Sequence, residues 1–153
     1  MSRFPTGVAV ITALDALGAP WGMTCTSVCS VSLRPPTLLV CLRLGSPTLR
    51  AVLDLRTFGL NLLHSDARGT SELFASGDGD RFERVRWQLD EEAAGPHLTE
   101  DAHTTADCEV VHTAPVGDHM VVFGEVRRVT ERHQPTPLLY GLRQYACWKG
   151  LTE

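Results

Sequence analysis

Apolar positions along this chain come in short β-branched runs rather than in long helical stripes. Gly7–Leu14, "GVAVITAL", is apolar almost throughout and ends in "DALGAP", a turn rich in Asp, Gly and Pro. Trp21–Ser32 reads as one or two strands, interrupted by Pro35 and Pro36. Thr37–Leu44, "TLLVCLRL", is nearly continuous in apolar character, which predicts a strand buried on both faces. The period then changes. Ser46 is an N-cap candidate, Pro47 suits a first helical position, and Leu49, Val52 and Leu53 share one helical face, so a short helix follows. Thr57–Leu63 returns to strand, and Asp66–Gly77 reads as a second helix with Gly77 as its stop.

Asp78–Asp107 is polar, with few apolar runs, and is expected to pack as a long excursion over a site or a partner subunit. Asp107–Ala114 and His119–Glu131 read as two strands joined by "PVGD"; the closing "PLLYGLRQYACWKG" fits no single pattern. Six or so strands with two short helices on their connections predict a small antiparallel barrel.

Composition narrows the chemistry. With 153 residues, 43% of them hydrophobic, the chain is expected to be one domain, 1–153, around one core. A net charge of −4 and the lack of any basic run give no footprint for nucleic acid, which is not an expected partner. No window approaches the ~20 apolar residues of a membrane span. "MSRFPTG" has no basic-then-apolar signal region, so no membrane association and a cytoplasmic location are expected. The five cysteines (Cys25, Cys29, Cys41, Cys108 and Cys147) are odd in number and form no CxxC pair, which reads as buried thiols in a reducing compartment. His64, His97, His103, His112 and His133 are spread too widely to suggest a metal site, and "DGD" at Asp78–Asp80 lacks the rest of a calcium loop. Neither a GxSxG elbow nor a GxGxxG after a strand occurs.

One stretch resists a purely structural account. "TCTSVCSVSLRPP", Thr24–Pro36, collects small hydroxyl and thiol side chains, with Val28 and Val31 among them, and stops at Arg and two prolines. Small residues let another molecule approach the main chain closely, while hydroxyls offer donors. A Ser/Thr strand simply facing water is the alternative on spacing alone.

Taken together, "RFPTGVAVITA", "GMTCTSVCSVSLRPPTLLVCL", "GSPT", "FGLNLL", "ASGDGDRFERVRW" and "GDHMVVFGEV" resemble, in this order, flavin reductases of the FMN-binding split-barrel class. The resemblance runs from Arg3 to about Tyr145. It implies a mainly β fold: a six-stranded antiparallel Greek-key split barrel with short flanking helices. It also implies a homodimeric enzyme that reduces FMN or FAD with NADH or NADPH and supplies reduced flavin to a partner flavin-dependent monooxygenase. A non-catalytic flavin-binding protein of the same barrel class is the competing reading.

The resemblance assigns roles residue by residue. Thr24, Cys25, Thr26, Ser27 and Val28 would hold the rim of the isoalloxazine, and Ser30 and Ser32 would reach the ribityl or phosphate part. Ser46 and Thr48 would bind phosphate at a helix N-terminus, where free N–H groups and a partial positive charge favour an anion. Arg81 resembles the basic residue that reaches the flavin phosphate; a solvated surface arginine is its alternative. Gly117, Asp118 and His119 form the "GDH" element, with His119 placing the nicotinamide. Phe82 and Tyr145 would stack on nicotinamide or adenine, or belong to the core. Relatives often carry an aromatic near Val28 and an alanine near Ser27, and the tail "ACWKGLTE" departs from the family pattern.

Overall fold

The computed structural model describes residues 3–132 and 136–148. His133, one of the scattered histidines, and the last residues of the divergent tail lie outside them. In chain order the elements are β1 (Thr6–Gly7), β2 (Ala9–Leu14), β3 (Pro20–Cys25), β4 (Val28–Leu33), β5 (Pro36–Arg43), α1 (Pro47–Leu55), β6 (Thr57–Leu63) and α2 (Arg68–Ser76). A 3-10 turn at Arg81–Glu83, then β7 (Trp87–Gln88), β8 (His97–Leu98), β9 (Ala102–Val116), β10 (His119–Glu131), β11 (Leu138–Gly141) and β12 (Gln144–Cys147) complete the chain.

Seven strands form one antiparallel sheet in the order β3-β2-β6-β9-β10-β5-β4. The two edge strands, β3 and β4, are consecutive in sequence and joined only by Thr26 and Ser27. Laid flat, seven strands would hold their edges about 29 Å apart, whereas so short a link spans only about 10 Å. The sheet must therefore curl until its edges meet. They meet without a ladder: the Cys41 N–H donates to Ser27 O at 3.2 Å, and the Cys25 thiol lies 3.8 Å from Cys41 O. This is a split barrel, as the sequence leads one to expect, with one strand more because Trp21–Ser32 makes both edges.

Two apolar clusters hold it. Ile11, Val40, Leu42, Val52, Phe58 and Val122 fill the barrel. Val8, Val10, Leu63, Phe74, Leu98 and Leu138 pack outside it, under α2 and the C-terminal hairpin. β2 lies between the two, so it is buried on both faces, which is why Gly7–Leu14 is apolar almost throughout. The same expectation for Thr37–Leu44 is not met. On β5 only Val40 and Leu42 are buried, while Leu39 and Cys41 are half-buried and line a cleft. On that second face Phe4, Thr6 of β1 and Tyr140 of β11 wall the cleft without filling it.

The excursion packs on its own chain. Thr12 Oγ1 donates to Pro96 O (2.6 Å), and the Asn61 side chain donates to Pro96 O and accepts from the Leu98 N–H. Buried Asp107 accepts from the Ala94 N–H (2.7 Å), His97 Nε2 (2.8 Å) and Arg128 Nε (2.8 Å). β9 accordingly starts at Ala102, not Asp107, because it buries Thr105 and Asp107, polar residues that break an apolar pattern. The ambiguous tail is a hairpin: Leu142 and Arg143 turn it with φ of 53° and 60°, the left-handed pair that a two-residue hairpin turn needs. Its β11 strand pairs with β1, setting Tyr140 beside Thr6. No helix among the described residues is long and apolar enough to cross a membrane.

Candidate functional site

Where the barrel edges meet, three clefts adjoin. One, of about 510 Å³, is lined by Met23, Thr24, Arg43, Gly45, Ser46, Thr48 and Arg81. The next, of about 680 Å³, shares Thr24 with it and adds Thr26, Arg68, Ser71, Glu72, Tyr140, Arg143 and Tyr145. The last, of about 380 Å³, shares Thr26 and Tyr140 and adds Ser27, Val28, Cys29, Leu39 and Cys41. Each is in the size range of small-ligand pockets. Together they make a groove over Thr24–Val28, the segment whose composition resisted explanation.

The seam leaves main chain free to bind. Among the described residues the Thr26 N–H donates to no protein acceptor, whereas the Ser27 N–H faces the Cys25 thiol. Buried or ligand-facing N–H groups need partners, and that of Thr26 borders the groove. Thr24 is committed already, donating its hydroxyl to Ser71 O at 2.6 Å. Cys25 faces the core, and burial pushes its thiol up to about 11. Ser30 is exposed on β4, and Ser32 Oγ accepts from the Arg34 N–H. Neither lines the three clefts.

At the Ser46 end, Gly45 takes φ +78° to turn the chain from β5 into α1. Ser46 then caps the helix, its Oγ accepting from the Leu49 N–H at 3.2 Å, and Pro47 removes one donor that would otherwise be free. The Thr48 N–H, in the first turn, has no intrahelical acceptor. Arg81 reaches the same cleft from the excursion, steadied by donation from Nη1 to Gly22 O (2.6 Å) and from Nε to Asp78 O. Gly22 is itself forced, since a Cβ there would come 2.7 Å from the Phe74 ring. Arg43, at the end of β5, adds a second cation.

Asp118 and His119 sit at the β9–β10 turn. The imidazole Nδ1 donates to Asp118 Oδ1 at 2.8 Å, and that bond holds the Asp118 carboxyl below the usual carboxylate range. Nε2 is left free. His119 pairs in register with Arg43, but it lines none of the three clefts around the seam. Gly117 supplies the turn with φ +58°. Phe82 packs edge-on against Phe74 (5.2 Å) and Trp87 (5.7 Å) in the outer cluster, behind the Phe74 that lines a cleft, and lines none of the three itself. Tyr145 does line the groove: its hydroxyl is 3.0 Å from Ser71 Oγ and its ring carries the Arg68 guanidinium at 5.3 Å.

Sequence reasoning passed over Arg43, Arg68, Ser71, Tyr140 and Arg143. The last two come from the hairpin, which reaches the groove only because β11 pairs with β1.

Residues 1–149 match the family model described as a flavin reductase like domain. The chain belongs to this family. A flavin reductase (NADPH) from Lentzea aerocolonigenes is 54% identical over 148 residues, covering 97% of this chain and 86% of that protein. A reductase subunit of a flavin-dependent monooxygenase from Rhodococcus jostii is 35% identical, covering 95% of this chain and 73% of its own length. Among solved structures, an NADH:FAD oxidoreductase from Streptomyces globisporus, in complex with NAD and FAD fragments, superposes with a TM-score of 0.91 at 29% identity. That comparison covers 99% of this chain and 90% of the other.

Proposed function

We propose that this flavin reductase is an NAD(P)H:flavin oxidoreductase that reduces FMN or FAD and passes the reduced flavin to a flavin-dependent monooxygenase. The observation that carries the reading is the groove over the barrel seam, with an unengaged N–H at Thr26 and a cation-flanked helix N-terminus at one end. Four arginines reach this groove in a chain of net charge −4, so its local field opposes the overall one. Relatives named as NADPH-dependent, NADH-dependent and monooxygenase-linked reductases support the same activity.

The residues fit a flavin. The Thr26 main-chain N–H would serve the polar rim of a flat ring, with Val28, Leu39 and Cys41 as an apolar side. Ser46, Thr48, Arg43 and Arg81 are the residues that would hold its phosphate, without a lysine cluster. When bound, the flavin supplies the hydride acceptor and the reduced nicotinamide supplies the hydride. The protein's part is to bind and orient both. The described sheets contain no Rossmann unit, so a nicotinamide dinucleotide would be held by surface contacts, consistent with binding, reaction and release. His119, its Nδ1 proton fixed by Asp118, presents Nε2 as the group that would orient the nicotinamide or offer a proton. The protein acts as a homodimer in the cytoplasm.

The test is steady-state oxidation of NADH and NADPH with FMN and FAD side by side. Turnover with at least one pair is expected. Tight flavin retention without nicotinamide oxidation would replace this reading with the non-catalytic flavin-binding one. Light scattering tests the dimer, where a monomer at working concentrations would remove that part.

A further inference from the structure

The middle cleft holds a second cationic pole, apart from the arginines at the Ser46 end of the groove. Arg43 and Arg81 serve the Ser46 end of the groove. Beyond Thr24 and Thr26, the cleft is lined by Arg68, from the first turn of α2, and Arg143, from the β11–β12 turn. Arg68 is already engaged, with Nε 2.8 Å from Glu72 Oε1 and its guanidinium over the Tyr145 ring. Glu72 is the one carboxylate lining this cleft. Two guanidiniums and one carboxylate leave one net positive charge there. Arg143 has no carboxylate partner among the described residues, and its left-handed turn holds it at the cleft with its fork of donors unspent. Tyr145 lines the same cleft and is fixed there through Ser71.

A free guanidinium next to a fixed tyrosine ring suits a phosphoryl group on a nucleotide. The flavin phosphate is provided for at the other end, so the second pole is available to the second nucleotide. We propose that Arg143, supported by Arg68 and Tyr145, binds a phosphoryl group of the nicotinamide dinucleotide. This rests on the reductase reading above. The pole is legible only in the fold, because its members lie at residues 68 and 143, on elements brought together by the hairpin's docking.

The experiment measures KM for NADPH and NADH, with flavin saturating, in wild type, Arg143→Gln and Arg143→Lys, alongside equilibrium binding of 2′-AMP and of ADP. Arg143 is exposed, and thermal melts confirm that the variants fold. In Arg143→Gln the donor KM rises about tenfold, the size of one charge-assisted hydrogen bond at an open site, and lysine recovers most of the loss. The flavin KM stays put. A rise for NADPH alone, with weaker 2′-AMP binding, supports the proposal and assigns the 2′-phosphate. Equal rises for both donors, with weaker ADP binding, support it and assign the pyrophosphate. Unchanged donor KM and unchanged binding of both nucleotides overturn it, as does a shift in flavin KM instead. Wild type that turns over no donor defeats the reductase reading, and the two binding measurements then still decide the role of Arg143.

Discussion

Asp107→Asn tests the anchor that ties the polar excursion to the barrel. The carboxylate is buried and serves three donors, with Oδ1 taking the Ala94 N–H and His97 Nε2 and Oδ2 taking Arg128 Nε. An amide of the same shape must put its NH2 group against one of these sets. At least one buried donor is then stranded, at about 1–3 kcal/mol, and Arg128 loses its closest counter-charge. Breaking a fully buried ion pair costs about 3–5 kcal/mol. The Arg128 side chain is 33% exposed, so the lower end of that range applies, about 3 kcal/mol. For a chain of this length that lowers Tm by roughly 6–12 °C. Acid behaviour gives an independent check. Burial pushes the Asp107 carboxyl up, but the bonds from the Ala94 N–H, Arg128 and His97 outweigh it and hold the group below its ordinary range. A depressed carboxyl stabilises fully above its unfolded value of about 3.9, and that contribution fades as pH falls below it. Wild type therefore loses stability below about pH 4 through this group, and the Asn variant lacks that part of the slope. Thermal melts by circular dichroism across pH read both effects. A Tm within about 2 °C of wild type, with the same acid limb, would show that the network does not hold the excursion.

Three further outcomes are expected. Titration of the folded protein with a thiol reagent near pH 8 should find Cys29 and Cys147 fast and Cys25 and Cys108 silent, the latter two being buried and pushed up to about 11 and about 12; all five should react in denaturant, and early reaction of Cys25 would contradict its place in the core. Gly95→Ala places a Cβ 2.5 Å from Thr12 O and 2.8 Å from the Gly59 N, both main chain, and should cost about 1–3 kcal/mol in a denaturant melt, whereas an unchanged midpoint would mean the excursion sits less tightly. Ser46→Ala should lower stability by about 1 kcal/mol through the lost cap and weaken FMN binding, while riboflavin, which has no phosphate, binds as before; equal weakening of both would detach Ser46 from the phosphate.

How much of this was legible depended on whether a residue's partner was near in sequence. The α1 cap at Ser46 and the stop at Gly77, where φ is +87°, are local events, and the sequence pattern places both. The small-residue run at 24–28 stands at the groove because its composition answers a local need for exposed main chain. β9 was read short because apolar periodicity is blind to polar residues whose burial is compensated elsewhere, as Asp107 is by Arg128, on the neighbouring strand. Phe82 looked equally suited to stacking or packing, and only Phe74 and Trp87 decide for packing. Arg143 and Tyr140 carried no signal, since their nearness to Thr24 and Thr26 follows from pairing between the two ends of the chain.

The two-residue join between opposite edges has a consequence for how the protein comes to life. Until the last edge swings round, Thr26 and Ser27 border open water and the groove over them does not exist. On the function proposed above, partly folded chains would be blind to flavin, and the onset of its capture during refolding would time the moment the cylinder shuts.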